Sequence, residues 1–401
     1  ILNCTYDSGF QGNVQAYYQA TPPPAQVASG ACKVGSSLYV SGNLQLTQGA
    51  SVGGNVYSTG TATLNGGFTV GGNVYANGAL TISGGTQVNG NVYANGPVTL
   101  SGGVKIGGNV FAVGGITFSG GPNVVGEVES QTGSISYTGG GGSGPAYVSS
   151  GHTIVPCPRT WTGPSSCSTT LPGDFPSNAV FPTAGTLPVA PAFPTVYYTA
   201  SAWQLPVASG GPGYTVVTNN DCNADQGNAL DPSGVYQAIV SAAAGTTPTV
   251  IRTSCQITWG DDYRKGYTIR LNANLALIAD GGVNFSTALS DVESTSSAAH
   301  DFFLIVPTLN ESGTPNATNA ANNVSCPADS SPASNVGNVV VSGNLSTNKL
   351  VHDLLYTPNS VCTSGGTTVY GKVYAGGQFA SPGSYDQQWY DIDPYGSYSA
   401  P

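Results

Sequence analysis

One 18-residue rung recurs along this chain from Ser37 onward, and it constrains the fold more than any other feature. A copy reads Asn73-Val74-Tyr75-Ala76-Asn77-Gly78, then Ala79-Leu80-Thr81-Ile82-Ser83-Gly84, then Gly85-Thr86-Gln87-Val88-Asn89-Gly90. It begins again at Asn91 and Asn109, and earlier at Asn55 and, more loosely, Ser37, always at the same spacing. A self-similar period of this kind marks a stacked-repeat architecture.

Within a rung the apolar positions come in pairs two apart: Val74/Ala76, Leu80/Ile82 and Thr86/Val88. Residues two apart on a strand share a face, so each pair reads as one short strand pointing inward. Asn-Gly, Ser-Gly-Gly or Gly-Gly separates the pairs, which is turn chemistry. Three strands and three corners predict an all-β, triangular β-solenoid. One rung cannot bury its own apolar side, whereas stacked rungs close a continuous core. Five spacings predict a prism roughly 24 Å long, at the strand separation of a sheet. The winding hand does not follow from the spacing.

The remaining sequence sets the expected organisation. Residues 1–36 read as an N-terminal cap, because an open solenoid end exposes apolar side chains and strand edges. Residues 37–130 read as the solenoid, with decay after Asn109: Pro122 takes an inward place and Ser130, Ser134 and Ser136 break the pattern. Residues 131–215 read as a Gly/Pro-rich linker or wrap, with Gly139–Gly142 its flexible core. Residues 216–401 read as a second, irregular solenoid-like β domain. Its helix is expected over 232–244, where Asp231-Pro232 opens a run of Val235, Ile239, Val240 and Ala243 before Gly245. Strand-like runs follow at 268–279, 302–306, 339–341, 354–356 and 369–375.

Charged residues make up 7% of the chain and the net charge is −10, so no basic patch favours nucleic acid. The eight cysteines form no C-x-x-C pair, and with so few His zinc is not expected. An even count in this Gly-rich chain reads as disulfides in an oxidising, extracytoplasmic place. Of 105 possible connectivities, neighbour pairing is expected: Cys4–Cys32, Cys157–Cys167, Cys222–Cys255 and Cys326–Cys362. With no leader, no membrane-length apolar run and a start at Ile1, the chain reads as a mature or truncated ectodomain, any membrane helix lying upstream. N-x-[ST] sequons stand at Asn3, Asn284, Asn310, Asn316, Asn323 and Asn344.

The GNVYANG-type rungs resemble those of bactofilin-like polymer-forming solenoids. In the second half, Leu275–Asp280, Phe302–Pro307, Leu354–Asn359 and Val369–Gly377 follow an order that resembles the C-terminal domain of PilX-like pilus-assembly and minor pilin-like surface proteins, competence-associated tip pilins among them. The resemblance implies an extracellular, cell-surface, non-enzymatic structural or adhesive subunit. Such a subunit displays its solenoid on a type IV-pilus-like filament or its tip, with other pilin subunits as partners. No catalytic residue comes with it.

Two other function classes are weighed beside it. A tip receptor for surface glycans or DNA would use the outward aromatic ladder Tyr39, Tyr57, Tyr75, Tyr93 and Phe111, which self-stacking or coverage by residues 150–215 would also explain. A β-helix polysaccharide-active enzyme would use a carboxylate pair, Asp261/Asp262 or Asp391/Asp393; the first pair beside Arg264 and Lys265 also reads as a charge-paired turn. His152, His300 and His352 have no nucleophile motif near them in sequence. No cofactor is expected apart from a possible Ca²⁺ at Asp221, Asn223 and Asp225, whose alternating oxygens resemble a calcium loop without its closing Glu.

Overall fold

A computed structural model describes residues 2–4, 8–16, 28–157, 163–172, 198–204, 213–220, 235–259, 267–285, 289–308, 326, 337–342, 344–347, 349–364, 366–381 and 385–388. The chain divides into two compact units, Ile1–Pro191 and Ala192–Pro401. Each is an all-β solenoid of parallel strands.

In the N-terminal unit the described strands make nine rungs on three faces. The first face runs from Leu2–Cys4 through Leu80–Ser83 to Ile154–Val155, the second from Ser8–Phe10 to Gly163–Pro164, and the third from Val14–Ala16 to Cys167–Ser168. Register follows the sequence period: Leu80 pairs with Val98, Val88 with Ile106 and Val74 with Val92, each exactly one period on. Val74, Ala76, Leu80, Ile82, Thr86 and Val88 all point inward and are buried, as the pairs two apart predict.

The solenoid is longer than residues 37–130. The stretch expected as a cap supplies a complete rung, since Leu2–Cys4 pairs with Ala28–Gly30, Phe10 with Val34 and Val14–Ala16 with Leu38–Val40. The expected linker likewise continues the stack. Ile116 pairs with Ile135 rather than with Ser134, so one extra corner residue shifts the frame and brings Ile135 and Tyr137 inward in place of Ser134 and Ser136. Gly139, Gly140 and Gly141 all have positive φ (78°, 99° and 106°), which builds a tight corner ahead of the strand Gly142–Ser143. Ser130 does sit inside, and its hydroxyl reaches the Gly114 and Gly133 carbonyls at 2.8 Å each, so the buried polar group is satisfied. Nine rungs correspond to roughly 38 Å of prism.

The C-terminal unit is a second parallel β-helix with uneven rungs. One face stacks Thr249–Thr253, Leu275–Ala279, His300–Ile305 and Val351–Thr357, and the end of Thr367–Ala375 joins it. A second face stacks Ile257–Trp259, Val283–Phe285, Val339–Ser342, Val361–Ser364 and Phe379–Ser381. A third stacks Tyr267–Leu271, Leu289–Ser294, Asn344–Thr347, Thr367–Ala375 and Tyr385–Gln388.

Among the described residues two helices accompany the strands, where one was expected. Helix α1, Ala200–Gln204, buries Trp203 with Tyr198 and Tyr214 against Val250, Ala276, Phe303 and Ile305. Helix α2, Val235–Ala244, buries Val235, Ile239 and Ala243, while Val240 is exposed. Asp231 and Pro232 lie outside the described residues. Among those described, no helix is long and apolar enough to cross a membrane.

Disulfides Cys4–Cys32, Cys157–Cys167 and Cys326–Cys362 form as neighbour pairing predicts. Cys222, of the fourth expected pair, lies outside the described residues. These disulfides fit an oxidising, extracytoplasmic setting.

Candidate functional site

The third face of the N-terminal solenoid carries the most ordered side-chain array in the described protein. Four consecutive rungs enter that face through Gly-Asn-Val-Tyr or, at the last of them, Gly-Asn-Val-Phe, and each residue has a defined task. The Oδ1 atoms of Asn55, Asn73 and Asn91 accept the backbone N–H of the Asn one rung on, at 2.7, 2.7 and 2.8 Å. Their Nδ2 atoms donate to Tyr57, Tyr75 and Tyr93 Oη at 3.1, 3.0 and 3.0 Å. The preceding glycine makes room: a Cβ on Gly90 would stand 2.3 Å from Asn73 Oδ1.

The rings stack on one another. Tyr39, Tyr57, Tyr75 and Tyr93 have centroids 4.8, 4.7 and 4.8 Å apart and interplanar angles of 4°, 1° and 4°. Phe111 closes the stack at 5.3 Å and 13°. Leu171 and Val113 pack against Phe111, so one residue of the expected wrap, Leu171, does cover that end. An interior ring has another ring on each face, which leaves only edges and hydroxyls towards solvent. A sugar cannot lie flat on Tyr57 or Tyr75. Burial raises the pKa of both phenols, partly offset by the asparagine bonds. The column continues in register to the buried Glu129 and then to Tyr147.

The C-terminal unit brings together polar residues that sequence distance hides. Asp301 aligns with His352 on the next rung, and His352 Nδ1 stands 3.4 Å from Asp301 Oδ1. Asn274 Nδ2 donates to Asp301 Oδ2 at 3.0 Å, and Asp301 N–H donates back to Asn274 Oδ1 at 3.0 Å. Tyr214 also bonds Asn274, and burial raises its pKa beyond the phenol range. Burial pushes the Asp301 carboxyl up as well, against the opposing pull of His352 and His300. This row edges the apolar patch beneath α1.

Asp353 points the other way, into the interior. It is 1% exposed and its Oδ2 accepts from Thr347 Oγ1 at 2.7 Å and Tyr370 N–H at 2.9 Å. Burial pushes its pKa up to about 7. A third arrangement pairs Arg252 with Asp280 beneath the Tyr198 ring, 4.9 Å from the guanidinium.

His352 and Asp353 are therefore neighbours in sequence that face opposite sides of one sheet. The calcium candidates Asp221, Asn223 and Asp225 and both carboxylate pairs, Asp261/Asp262 and Asp391/Asp393, lie outside the described residues. Among those described, no group of three His, Cys, Asp or Glu side chains gathers as a metal site would need. Of the sequons, Asn284 is fully buried on an interior strand and closed to glycosylation in the folded protein.

No family model, curated protein or solved structure matches the chain.

Proposed function

We propose that the chain is a non-enzymatic extracellular structural or adhesive subunit, a minor pilin-like protein that displays its solenoid on a type IV-pilus-like filament or its tip. The observation that carries this reading is the asparagine–tyrosine ladder. Its amide groups and ring faces are spent on joining one rung to the next, which suits a rigid spacer better than a receptor. The disulfides add covalent support of the kind an exposed subunit needs. The resemblance of the second half to PilX-like and minor pilin-like proteins supplies the filament, and other pilin subunits are the partners it implies. The self-stacked rings weaken the glycan-receptor alternative, and a net charge of −10 disfavours DNA.

Intact mass and N-terminal sequencing of the native protein from sheared surface filaments test the reading. Recovery with the filaments, with a methylated hydrophobic helix ahead of Ile1, is the expected result. A protein found only in the secreted fraction, starting near Ile1, would overturn it.

A further inference from the structure

The first face of the N-terminal solenoid carries a second array, chemically unlike the tyrosine column. Its outward positions on five consecutive rungs are Thr63/Asn65, Thr81/Ser83, Thr99/Ser101, Thr117/Ser119 and Ser136/Thr138. Between the members of each pair lies a buried residue, in order Leu64, Ile82, Leu100, Phe118 and Tyr137. All ten outward side chains are at least partly exposed.

Three properties of this array point to one ligand. Its geometry is a two-way net: rungs repeat at the 4.7–4.8 Å of the ring stack in the same prism, and two residues along a strand span roughly 6.6 Å. Its hydroxyls are largely unspent, because among the described residues Thr63, Thr81, Thr99, Ser83, Ser101 and Ser119 make no side-chain hydrogen bond to protein. It also carries no charge, and the same column continues through the uncharged Gln45 and Ser29.

We propose that this face binds the surface of ice. Water oxygens on a prism face of hexagonal ice recur on a rectangular net, one edge close to the rung spacing and the other close to the two-residue strand repeat. Hydroxyls fixed on paired strands hold water at lattice positions. The methyl groups of Thr63, Thr81, Thr99 and Thr117 fill the gaps and order the water between them. Threonine is stiff at χ1, so little rotamer freedom is lost when the face meets a solid. An ionic side chain would impose a hydration shell of its own, and this array has none. The second face has no such net: its column reads Ser51, Thr69, Gln87, Lys105 and Asn123, of mixed length and charge. The inference does not rest on the filament reading.

The test is slow growth of ice from a dilute solution of the fluorophore-labelled full chain. The unmodified protein is expected to enter the ice. The double variant Thr81→Tyr/Thr99→Tyr, whose rings break the net, is expected to be excluded, while Gln87→Tyr on the second face enters as the parent does. Unfolding midpoints confirm that each variant is folded, and Thr99→Lys replaces the double variant should that one fail to fold. Exclusion of the unmodified protein, or incorporation of a folded net-breaking variant to the parent's level, overturns the proposal. Capture on crystalline cellulose or chitin together with exclusion from ice overturns it too, and assigns the face to a glycan.

Discussion

Asn73 Nδ2 donates to Tyr75 Oη at 3.0 Å while Asn73 Oδ1 accepts the Asn91 N–H at 2.7 Å, so one amide serves its own rung and the next. The first bond fixes the edge of a stacked ring, and the second replaces a strand bond at a corner where the backbone leaves the sheet. Truncation to Ala removes both and leaves a part-buried N–H without its acceptor. The expected cost of Asn73→Ala is about 1–3 kcal/mol, read as a lower denaturant midpoint with an unchanged slope. A midpoint equal to the parent's would show that water replaces the amide fully.

Tyr75 has a ring on each side, 4.7 Å from Tyr57 and 4.8 Å from Tyr93. Tyr75→Ser breaks both stacks and the bond to Asn73, for an expected loss of about 2–4 kcal/mol. Tyr75→Phe keeps the stacks and costs about 1 kcal/mol or less. The ladder is structural on this account, so the serine variant changes stability and leaves glycan binding where it was. Glycan binding abolished in a variant of parental stability would return the ladder to the receptor reading.

Gly90 precedes Asn91 and lies over Asn73, whose Oδ1 is where an alanine methyl would go, at 2.3 Å. Gly90→Ala must displace that amide or shift the rung, and about 1–3 kcal/mol is the expected cost. Gly103, where a Cβ meets nothing within 4 Å, is strained only by its φ of 78°. Gly103→Asn therefore costs less than Gly90→Ala, because asparagine tolerates the left-handed region. Thermal unfolding of the two variants side by side checks the order.

The N-terminal solenoid was legible because its period is strict: pairs two apart named the inward residues, and Asn and Tyr at fixed offsets named the ladder. Legibility ended where the period changed. One added residue between Ile116 and Ile135 threw the frame off, so Ser134 and Ser136 read as inward serines and the remaining rungs as linker. At the other end, Leu2 pairs with Ala28 across a turn of chain too long to align with the template that Asn55, Asn73 and Asn91 define. The polar row of the C-terminal unit was hidden for the same reason. Asp301 meets His352 from the rung after it and Asn274 from the rung before, both far off in sequence, and only the folded register puts them side by side. That ring stacking would consume the tyrosine faces depends on ring tilt, which a sequence pattern does not carry.

Asp353 supplies the clearest dependence on pH. Its folded pKa of about 7 is raised from the ordinary 3.8 because burial disfavours the carboxylate. Below about pH 4 both folded and unfolded chains hold the proton, and its contribution to stability is fully present. Between about pH 4 and 7 the unfolded chain ionises first, so stability falls as pH rises. Above about pH 7 the fold carries a buried carboxylate, and the accumulated loss is on the order of 4 kcal/mol. Asp301, also raised, adds a slope of the same sign. In Asp353→Asn the amide oxygen accepts from Thr347 and Tyr370 as the carboxylate did, without the charge. The variant is expected to be more stable than the parent at pH 8 and to show a flatter profile between pH 4.5 and 8, measured by urea unfolding followed through tryptophan fluorescence. Parallel profiles for the two proteins would mean that Asp353 ionises in the fold as readily as in the unfolded chain.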